Sequence, residues 1–335
     1  MSATPSVTHA GDALTRVGAY VRIARPDHWF KNGFMLLGVV LALTYVPHPL
    51  PSRLWWQLLA GVVATCLVAS SNYVLNEVLD AARDRHHPLK RMRPIPSGYI
   101  DVRLAYAEWL MLATCGLGVA WTINQPFFVS ALALWVMGVL YNVPPVRTKE
   151  WPYLDVLSES INNPLRLLLG WFVLVESHVP PTSLAVAYWM AGAFLMAVKR
   201  FAELRHIGDR DVAAAYRHSF CHYTEERLLL SSIFYAIVGA VFGGIFIVRY
   251  HIELTFVAPL IAGLFVYYLH LGMLADSPAQ RPERLYLHGR FMAYVTICVL
   301  AFIILLFTQV PSLYQWLDVE PASMRVLWRI GPDGP

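Results

Sequence analysis

Three polar side chains recur at four-residue intervals in the stretch NYVLNEVLDAARDRHHPLKRMRPIPSG, residues 72–98: Asn76, Asp80 and Asp84. An apolar run leads into them, and four residues of an α-helix turn through about 400°, so the three side chains share one face. Carboxylates at the end of a membrane span are costly unless a positive charge compensates them, and oxygen ligands of this kind suit Mg²⁺. The spacing therefore predicts a Mg²⁺ site at the end of a helix.

Basic side chains accompany and follow these acids. They are Arg83, Arg85, Lys90, Arg91 and Arg93. Guanidinium and ammonium groups donate hydrogen bonds to phosphate oxygens. A cluster of acidic and basic side chains at a membrane surface favours a binding site for a metal-bridged diphosphate. The alternative interpretation is a charged loop that is simply exposed to water.

A second acidic stretch repeats the four-residue spacing with Asp155, Glu159 and Asn163. Arg166, eleven residues after Asp155, returns to within about 20° of it on a helix. A buried Asp–Arg pair in a helical bundle can be purely structural. Two such faces, one ending an apolar run and the other preceding one, favour a functional interpretation.

Other polar side chains leave two interpretations open. Lys199 and Glu203 are one helical turn apart, as in an ordinary ion pair or as a phosphate-binding lysine with a positioning carboxylate. Lys31, just before the first apolar run, is either a membrane-surface anchor or a substrate ligand. His218 and His222 superficially resemble a zinc face, but without an HExxH arrangement an amphipathic helix is favoured.

The composition predicts an all-α integral membrane protein. Of 335 residues, 57% are hydrophobic and 14% are charged, against about 25% charged in ordinary soluble domains. Nine apolar segments approach the length of about 20 residues that a membrane-spanning helix needs. They cover residues 33–49, 55–78, 105–123, 127–143, 155–175, 183–200, 228–249, 254–274 and 291–312. We attribute the modest formal charge of +4 to basic residues that set the membrane topology and contact anionic lipid headgroups. It does not indicate nucleic acid as a partner.

The positions of the basic residues predict the orientation. Of 26 lysines and arginines, 21 fall in alternate connecting segments that share one side with the N-terminus, four fall on the other side, and Arg166 lies within a predicted span. The positive-inside rule then predicts an N-in, C-out chain with both acidic faces at the cytosolic surface. We expect a disordered segment over residues 1–20, one transmembrane domain over 21–315 and a short tail over 316–335. The four cysteines are scattered without a CxxC pair, which does not favour disulfides or zinc.

The acidic stretches resemble those of the UbiA superfamily of intramembrane prenyltransferases. The residues from Asn76 to Asp84 are similar to its first motif, NDxxDxxxD, with Glu77 in place of the usual second-position Asp. The stretch 141–149 and the acids that follow it resemble the second motif, DxxxDxxxD, here in the form D-xxx-E-xxx-N. The resemblance implies a bundle of nine helices, a polyprenyl lipid substrate, Mg²⁺ and a diphosphate leaving group.

Within the superfamily, three segments look most similar to the decaprenyl-phosphate phosphoribosyltransferase branch. They are Arg25-Pro-x-x-Trp-x-Lys-Asn32, Asp84-Arg-x-His-Pro-x-Lys-Arg-x-Arg-Pro-Ile95 and Lys199-Arg-x-Ala-Glu203. That branch moves 5-phosphoribose from phosphoribosyl diphosphate onto a polyprenyl phosphate. The stretch Tyr-x-x-Pro-Pro-x-Arg-x-Lys is more similar to members that prenylate quinone precursors and pigments, and Asn162-Asn163 stands where the branch has Gly-Phe. Prenyl transfer to an aromatic, quinone-precursor or lipid acceptor therefore stays open.

The residues and the resemblance together imply a set of site residues. Catalytic roles fall to Asp80, Asp84, Asp155, Arg166 and Lys199. Substrate or diphosphate binding falls to Lys31, Lys90, Arg91, Arg93, Arg147, Lys149 and Glu203. Mg²⁺ binding falls to Asn76, Asp80, Asp84, Asp155, Glu159 and Asn163. We expect a bacterial inner-membrane enzyme whose partners are a polyprenyl phosphate or diphosphate and a diphosphate-bearing donor.

Two functions of other classes compete with catalysis. Intramembrane acids and arginines also mark ion pathways in transporters and channels. The charges here cluster toward one membrane face and no inverted repeat is evident, which argues against transport. A scaffold that has lost turnover is motivated by Glu77 and Asn163, since both depart from the acidic motifs.

Overall fold

The computed structural model describes residues 17–46, 52–85, 90–280 and 282–319. Over these residues the secondary structure is helical, with α-helices joined by 3₁₀ turns and short loops. The all-α prediction is therefore confirmed. The chain forms two compact units: the described parts of Met1–Phe34 and Pro51–Arg147, and those of Met35–Leu50 and Thr148–Pro335.

The first unit is built on one long helix. Its helices are α1 (17–23), α3 (Leu54–Asp84), α4 (Val102–Ile123) and α5 (Gln125–Asn142), and the helix between α1 and α3, α2 (Leu36–Leu43), belongs to the second unit. Small residues let α3 and α4 approach closely, since a Cβ added at Gly116 would lie 2.9 Å from the Val68 side chain. Asp101 and Asn124 begin α4 and α5 as N-caps, each accepting a backbone hydrogen bond at 2.8 Å.

A small apolar core lies beneath the acidic end of α3. Val74 and Val78 of α3 pack in one cluster with Ile23 of α1, Ile95 and Ala105. Ile95 belongs to the loop that follows the acidic stretch, and it is 1% exposed. The core therefore fixes both the segment before the first predicted span and the loop after α3 relative to the acids.

The second unit contains the remaining helices. They are α2 (Leu36–Leu43), α6 (Leu154–Ser160), α7 (Asn162–Phe172), α8 (Thr182–Ile207), α9 (Arg210–Tyr216), α10 (Glu225–Tyr250), α11 (Ala258–Met273), α12 (Gly289–Phe307) and α13 (Pro311–Trp316). Its main core gathers buried side chains such as Phe194 of α8, Tyr235 of α10 and Tyr268 of α11. Helices α2 and α7 cross at two glycines, Gly38 and Gly170, where neither helix leaves room for a side chain.

Six described helices are long and apolar enough to cross a membrane: α3, α4, α5, α8, α10 and α12. The chain is thus an integral membrane protein, but the predicted count of nine spans is not confirmed. Three predicted segments form shorter or interrupted helices: α2 has 8 residues, α11 has 16, and the segment 155–175 divides into α6 and α7. The division follows from Pro164, which has no N–H to donate to the preceding turn.

The ends of the chain lie largely outside the described residues. This applies to residues 1–16 of the segment expected to be disordered and to residues 320–335 of the predicted tail. Residues 17–20 belong to α1, and α13 ends at Trp316. The predicted division into segment, domain and tail stays a prediction.

The close crossing of α2 and α7 yields a stability prediction. A Cβ at Gly170 would overlap the Met35 carbonyl oxygen, so we expect Gly170→Ala to lower the free energy of unfolding by about 1–3 kcal/mol, the range for overpacking. Gly118→Ala on α4 is the control because no atom lies within 4 Å of its added Cβ. Thermal unfolding of the two variants in detergent gives the comparison, and equal melting temperatures would contradict the crossing.

Candidate active site

Two acids at the end of α3 each hold an arginine that comes from a different segment. Asp80 Oδ1 accepts a hydrogen bond from Arg147 Nη2 at 2.8 Å. Asp84 Oδ2 accepts one from Arg93 Nη1 at 2.7 Å. The Asp80 side chain is 21% exposed and that of Asp84 is 8% exposed. These short, charge-assisted pairs join the acidic motif to the loop after α3 and to the segment after α5.

Glu77 holds a third arginine in a more deeply buried position. Its side chain is 2% exposed; Oε2 lies 3.8 Å from Arg25 Nη2, and Oε1 accepts a hydrogen bond from the Ile95 N–H at 3.4 Å. Burial, together with repulsion from the Arg93 charge, lowers the pKa of the Arg25 guanidinium, while Glu77 opposes the shift. The helix end therefore carries one arginine for each of its three carboxylates.

Two of these arginines have unusual backbone conformations. Arg25 has φ of 50° and Arg147 has φ of 30°. A non-glycine residue in this region is strained by about 1–3 kcal/mol and persists only when its surroundings fix it. Both strained residues deliver a guanidinium to a carboxylate of α3, so the strain coincides with the positioning of charge.

Four more predicted site residues belong to the first unit. Asn76 is half-buried on α3, one turn before Asp80. Lys31 Nζ lies 3.4 Å from His28 Nδ1. Arg91 is exposed in the 3₁₀ turn Lys90–Met92, and the side chain of Lys90 lies outside the described part of the chain.

Asp155 is the buried centre of the second unit's polar cluster. It is fully buried on α6; Oδ1 accepts a hydrogen bond from the Tyr223 hydroxyl at 2.7 Å and Oδ2 one from the Ser219 hydroxyl at 3.1 Å. Burial and the neighbouring Asp155 charge raise the pKa of Tyr223, which keeps its hydroxyl a donor. Arg217 Nε lies 3.3 Å from Oδ2.

Arg200 connects three carboxylates and was missed in the sequence analysis. It is 2% exposed on α8. Its Nη2 donates to Glu159 Oε2 at 2.7 Å, its Nη1 donates to Glu203 Oε2 at 3.0 Å, and its Nε lies 3.4 Å from Asp155 Oδ2. The i,i+3 spacing to Glu203 was visible in the sequence, but no pattern pointed to Asp155 or Glu159.

The contacts of Asp155 give this residue a structural role. With both oxygens engaged, this carboxylate ties the segment containing Arg217, Ser219 and Tyr223 to α6. A metal ion that binds Asp155 must displace some of these contacts. Its role as a Mg²⁺ ligand stays a prediction.

The remaining predicted residues of the second unit divide between packing and ion pairing. Asn163 lies in α7, beyond the break, and its amide occupies the space beside Gly192. Arg166 Nη1 donates to the Asn162 carbonyl at 3.4 Å. The i,i+4 pair of Lys199 with Glu203 is present at 3.9 Å.

Lys149 lies in the 3₁₀ turn Thr148–Glu150 and is 8% exposed. This predicted diphosphate ligand is therefore buried, unlike the exposed Arg91 of the first unit.

The donor set of the first unit fits Mg²⁺. Within the described ranges, no group of three or more His, Cys, Asp and Glu side chains is arranged to hold a metal ion. Mg²⁺ does not require such a group, because it binds through one or two carboxylates and fills its other positions with water and substrate phosphate. Asp80 and Asp84, one helical turn apart on α3, supply ligands of this kind.

Comparisons with known proteins place these features in context. Residues 33–297 match the model of the UbiA prenyltransferase family. A decaprenyl-phosphate phosphoribosyltransferase of Mycobacterium tuberculosis is 28% identical over 213 residues, which cover 63% of this chain and 68% of that protein. The nodulation protein NoeC of Azorhizobium caulinodans is 31% identical over 191 residues, 56% of this chain and 58% of that protein.

A solved structure shares the fold. It is a UbiA homologue from Archaeoglobus fulgidus bound to DMAPP and Mg²⁺, with a TM-score of 0.64 and 20% sequence identity. The superposition covers 84% of this chain and 98% of that one.

The three contacts of Arg200 predict a large effect on stability. Removal of one partner from a buried ion pair costs about 3–5 kcal/mol because the remaining charges lose their compensation, so we expect a loss of that size in Arg200→Met. The control is Arg205→Met, an exposed position on the same helix, where a change within about 0.5 kcal/mol is expected. Denaturant titration in detergent measures both, and equal losses would contradict the role given to Arg200.

Proposed function

Because this transferase belongs to the UbiA prenyltransferase family, whose model matches residues 33–297, we propose that it moves 5-phosphoribose from phosphoribosyl diphosphate onto a polyprenyl phosphate with Mg²⁺. The pairing of Asp80 and Asp84 with Arg147 and Arg93 supports this function most directly. A helix end that presents carboxylates for a metal beside guanidinium groups for phosphate suits a metal-bound diphosphate. The similarity to the M. tuberculosis phosphoribosyltransferase supports the choice of donor and acceptor.

The proposed reaction exchanges one C–O bond for another. The bond between ribose C1 and the diphosphate oxygen breaks, its electron pair leaves with the diphosphate, and an oxygen of the lipid phosphate bonds to C1. Bound Mg²⁺ supplies charge stabilisation for the leaving group. Asp80 and Asp84 hold the metal, Asn76 completes that helical face, and Arg93 and Arg147 donate hydrogen bonds to diphosphate oxygens.

The second unit contributes the other proposed metal ligands. Asp155 and Glu159, with Asn163, are assigned a further Mg²⁺. The remaining assignments concern binding and positioning of substrate by cationic and carboxylate side chains of both units: Arg166, Lys199, Glu203 and Lys149 of the second unit, and Lys31, Lys90 and Arg91 of the first.

We propose an N-in, C-out orientation in a bacterial inner membrane, with the site at the cytosolic surface and further crossings beyond the six long helices. The asymmetry of lysines and arginines supports this orientation, since 21 of the 26 fall in the segments assigned to the cytosol.

Prenyl transfer from a polyprenyl diphosphate is the second candidate. The stretch from Tyr141 to Lys149 favours it because of its similarity to quinone- and pigment-prenylating members. The same carboxylates and arginines would bind the diphosphate, and the departing group would leave an allylic cation in place of a ribosyl cation. Transport and a scaffold role rank below both reactions.

A double-donor assay separates the candidates. The purified full chain in detergent with Mg²⁺ receives labelled phosphoribosyl diphosphate with polyprenyl phosphate, or labelled polyprenyl diphosphate with a lipid extract, each with and without chelator. We expect chelator-sensitive transfer of the phosphoribosyl label into the lipid phase. Transfer from the prenyl donor alone would establish the second candidate, and no transfer from either would favour transport or a scaffold.

Asp80→Asn tests the acid at the centre of the proposal. We expect a loss of transfer of about 100-fold or more, the size typical when one electrostatic contact to a developing charge is removed. Asp101→Asn is a matched control, because that exposed residue caps α4 and asparagine caps as well as aspartate. Equal activity of the two variants would remove Asp80 from the site.

A further inference from the structure

Asp80 and Asp84 of α3 each have a guanidinium partner at hydrogen-bonding distance. Arg147 lies 2.8 Å from Asp80, and Arg93 lies 2.7 Å from Asp84. A divalent cation that approaches these acids must therefore compete with guanidinium groups for the same oxygens. Arg147 is only 11% exposed, so displacement from Asp80 would remove an anionic partner from a charge with little access to water.

A diphosphate changes this balance. Its oxygens accept charge-assisted hydrogen bonds from guanidinium groups in the same forked geometry as a carboxylate. An arginine that the metal displaces then has a new anionic partner beside it. The metal alone separates the guanidinium from its carboxylate partner, and the diphosphate alone meets carboxylates that repel it.

We propose that Arg93 and Arg147 exchange their carboxylate partners for diphosphate oxygens when metal and diphosphate bind, so that each ligand binds tightly only with the other. This exchange rests on the proposed function, which assigns Mg²⁺ and a diphosphate to the end of α3. It goes further because it makes the two arginines competitors of the metal before the diphosphate binds, and ligands of the diphosphate afterwards. The coupling is reciprocal by thermodynamic necessity.

The guanidinium groups of Arg93 and Arg147 can move a short distance while their backbones stay in place. Arg93 is 28% exposed, and its loop is fixed two residues later by buried Ile95, whose N–H reaches Glu77. Arg147 is fixed by its strained backbone. In both, the backbone is anchored while the guanidinium lies at the end of a long side chain. Glu77, 2% exposed and paired with Arg25, provides a counter-charge that stays in place.

Metal binding to the full chain in detergent tests the exchange without turnover. Mn²⁺ replaces Mg²⁺ because its free concentration is measured by electron paramagnetic resonance, and inorganic pyrophosphate is the diphosphate probe. In the unaltered protein we expect pyrophosphate to tighten Mn²⁺ binding by about 5- to 150-fold, the range of ordinary coupling between sites.

Arg147→Gln gives the decisive result because its two expected effects have opposite signs. Mn²⁺ alone should bind more tightly, because Arg147 no longer competes with the metal for the oxygens of Asp80. Pyrophosphate in the presence of Mn²⁺ should bind about tenfold more weakly or worse, because one charged hydrogen bond to the diphosphate is lost. Arg147→Lys keeps the charge without the fork and should fall between. Arg103→Gln removes an exposed arginine near the start of α4 and should change neither affinity.

Several outcomes would overturn the exchange. They are weaker binding of both ligands in Arg147→Gln, tighter metal binding with unchanged pyrophosphate binding, or no coupling in the unaltered protein. If the unaltered protein binds Mn²⁺ and pyrophosphate but Arg147→Gln behaves like Arg103→Gln, the exchange fails and the proposed function stands. If it binds neither, both fail. Melting temperatures identify a misfolded variant, in which case Arg147→Lys and Arg93→Gln carry the test.

Discussion

Carboxylates at the end of an apolar helix need positive partners, and this requirement shapes the first unit. Helix α3 is 31 residues long and carries Glu77, Asp80 and Asp84 in its last two turns. Water compensates these charges poorly, because Glu77 and Asp84 are buried. The partners come from three separate places in the chain, the segment before α2, the loop after α3 and the segment after α5. The course of all three connections therefore follows from one electrostatic requirement.

The second unit satisfies the same requirement differently. Asp155, Glu159 and Glu203 share the guanidinium of Arg200; Asp155 also lies near Arg217 and has two hydroxyl donors, and Glu203 also pairs with Lys199. A shared, buried cation is costly to move, because its displacement removes a partner from several charges at once. One arginine per carboxylate, as on α3, allows each pair to open separately. The two clusters contain similar residues, yet the one on α3 is better suited to exchange partners with a ligand.

The sequence predicted those structural features that depend on residues close together in the chain. Hydropathy located the six long helices, and four-residue spacing placed the acids of α3 on one face and paired Lys199 with Glu203. Apolar composition does not register a helix break such as that at Pro164, so the sequence predicted one continuous span where the structure has α6 and α7. It also could not find Arg147 as the partner of Asp80, since 67 residues separate them and the pairing depends on tertiary packing.

The contacts of Glu77 and Asn163 give a physical reason for the two residues that depart from the acidic motifs. Glu77, which stands where an aspartate is usual, reaches Arg25 and the N–H of Ile95, and so pins the loop that carries Arg93. Asn163 fills the space beside Gly192, where α7 meets α8. Both altered positions thus serve packing and charge compensation, while Asp80 and Asp84 keep the carboxylates that a Mg²⁺ ion requires. The altered positions therefore do not favour a scaffold by themselves, because the carboxylates that the proposed transfer requires are still in place.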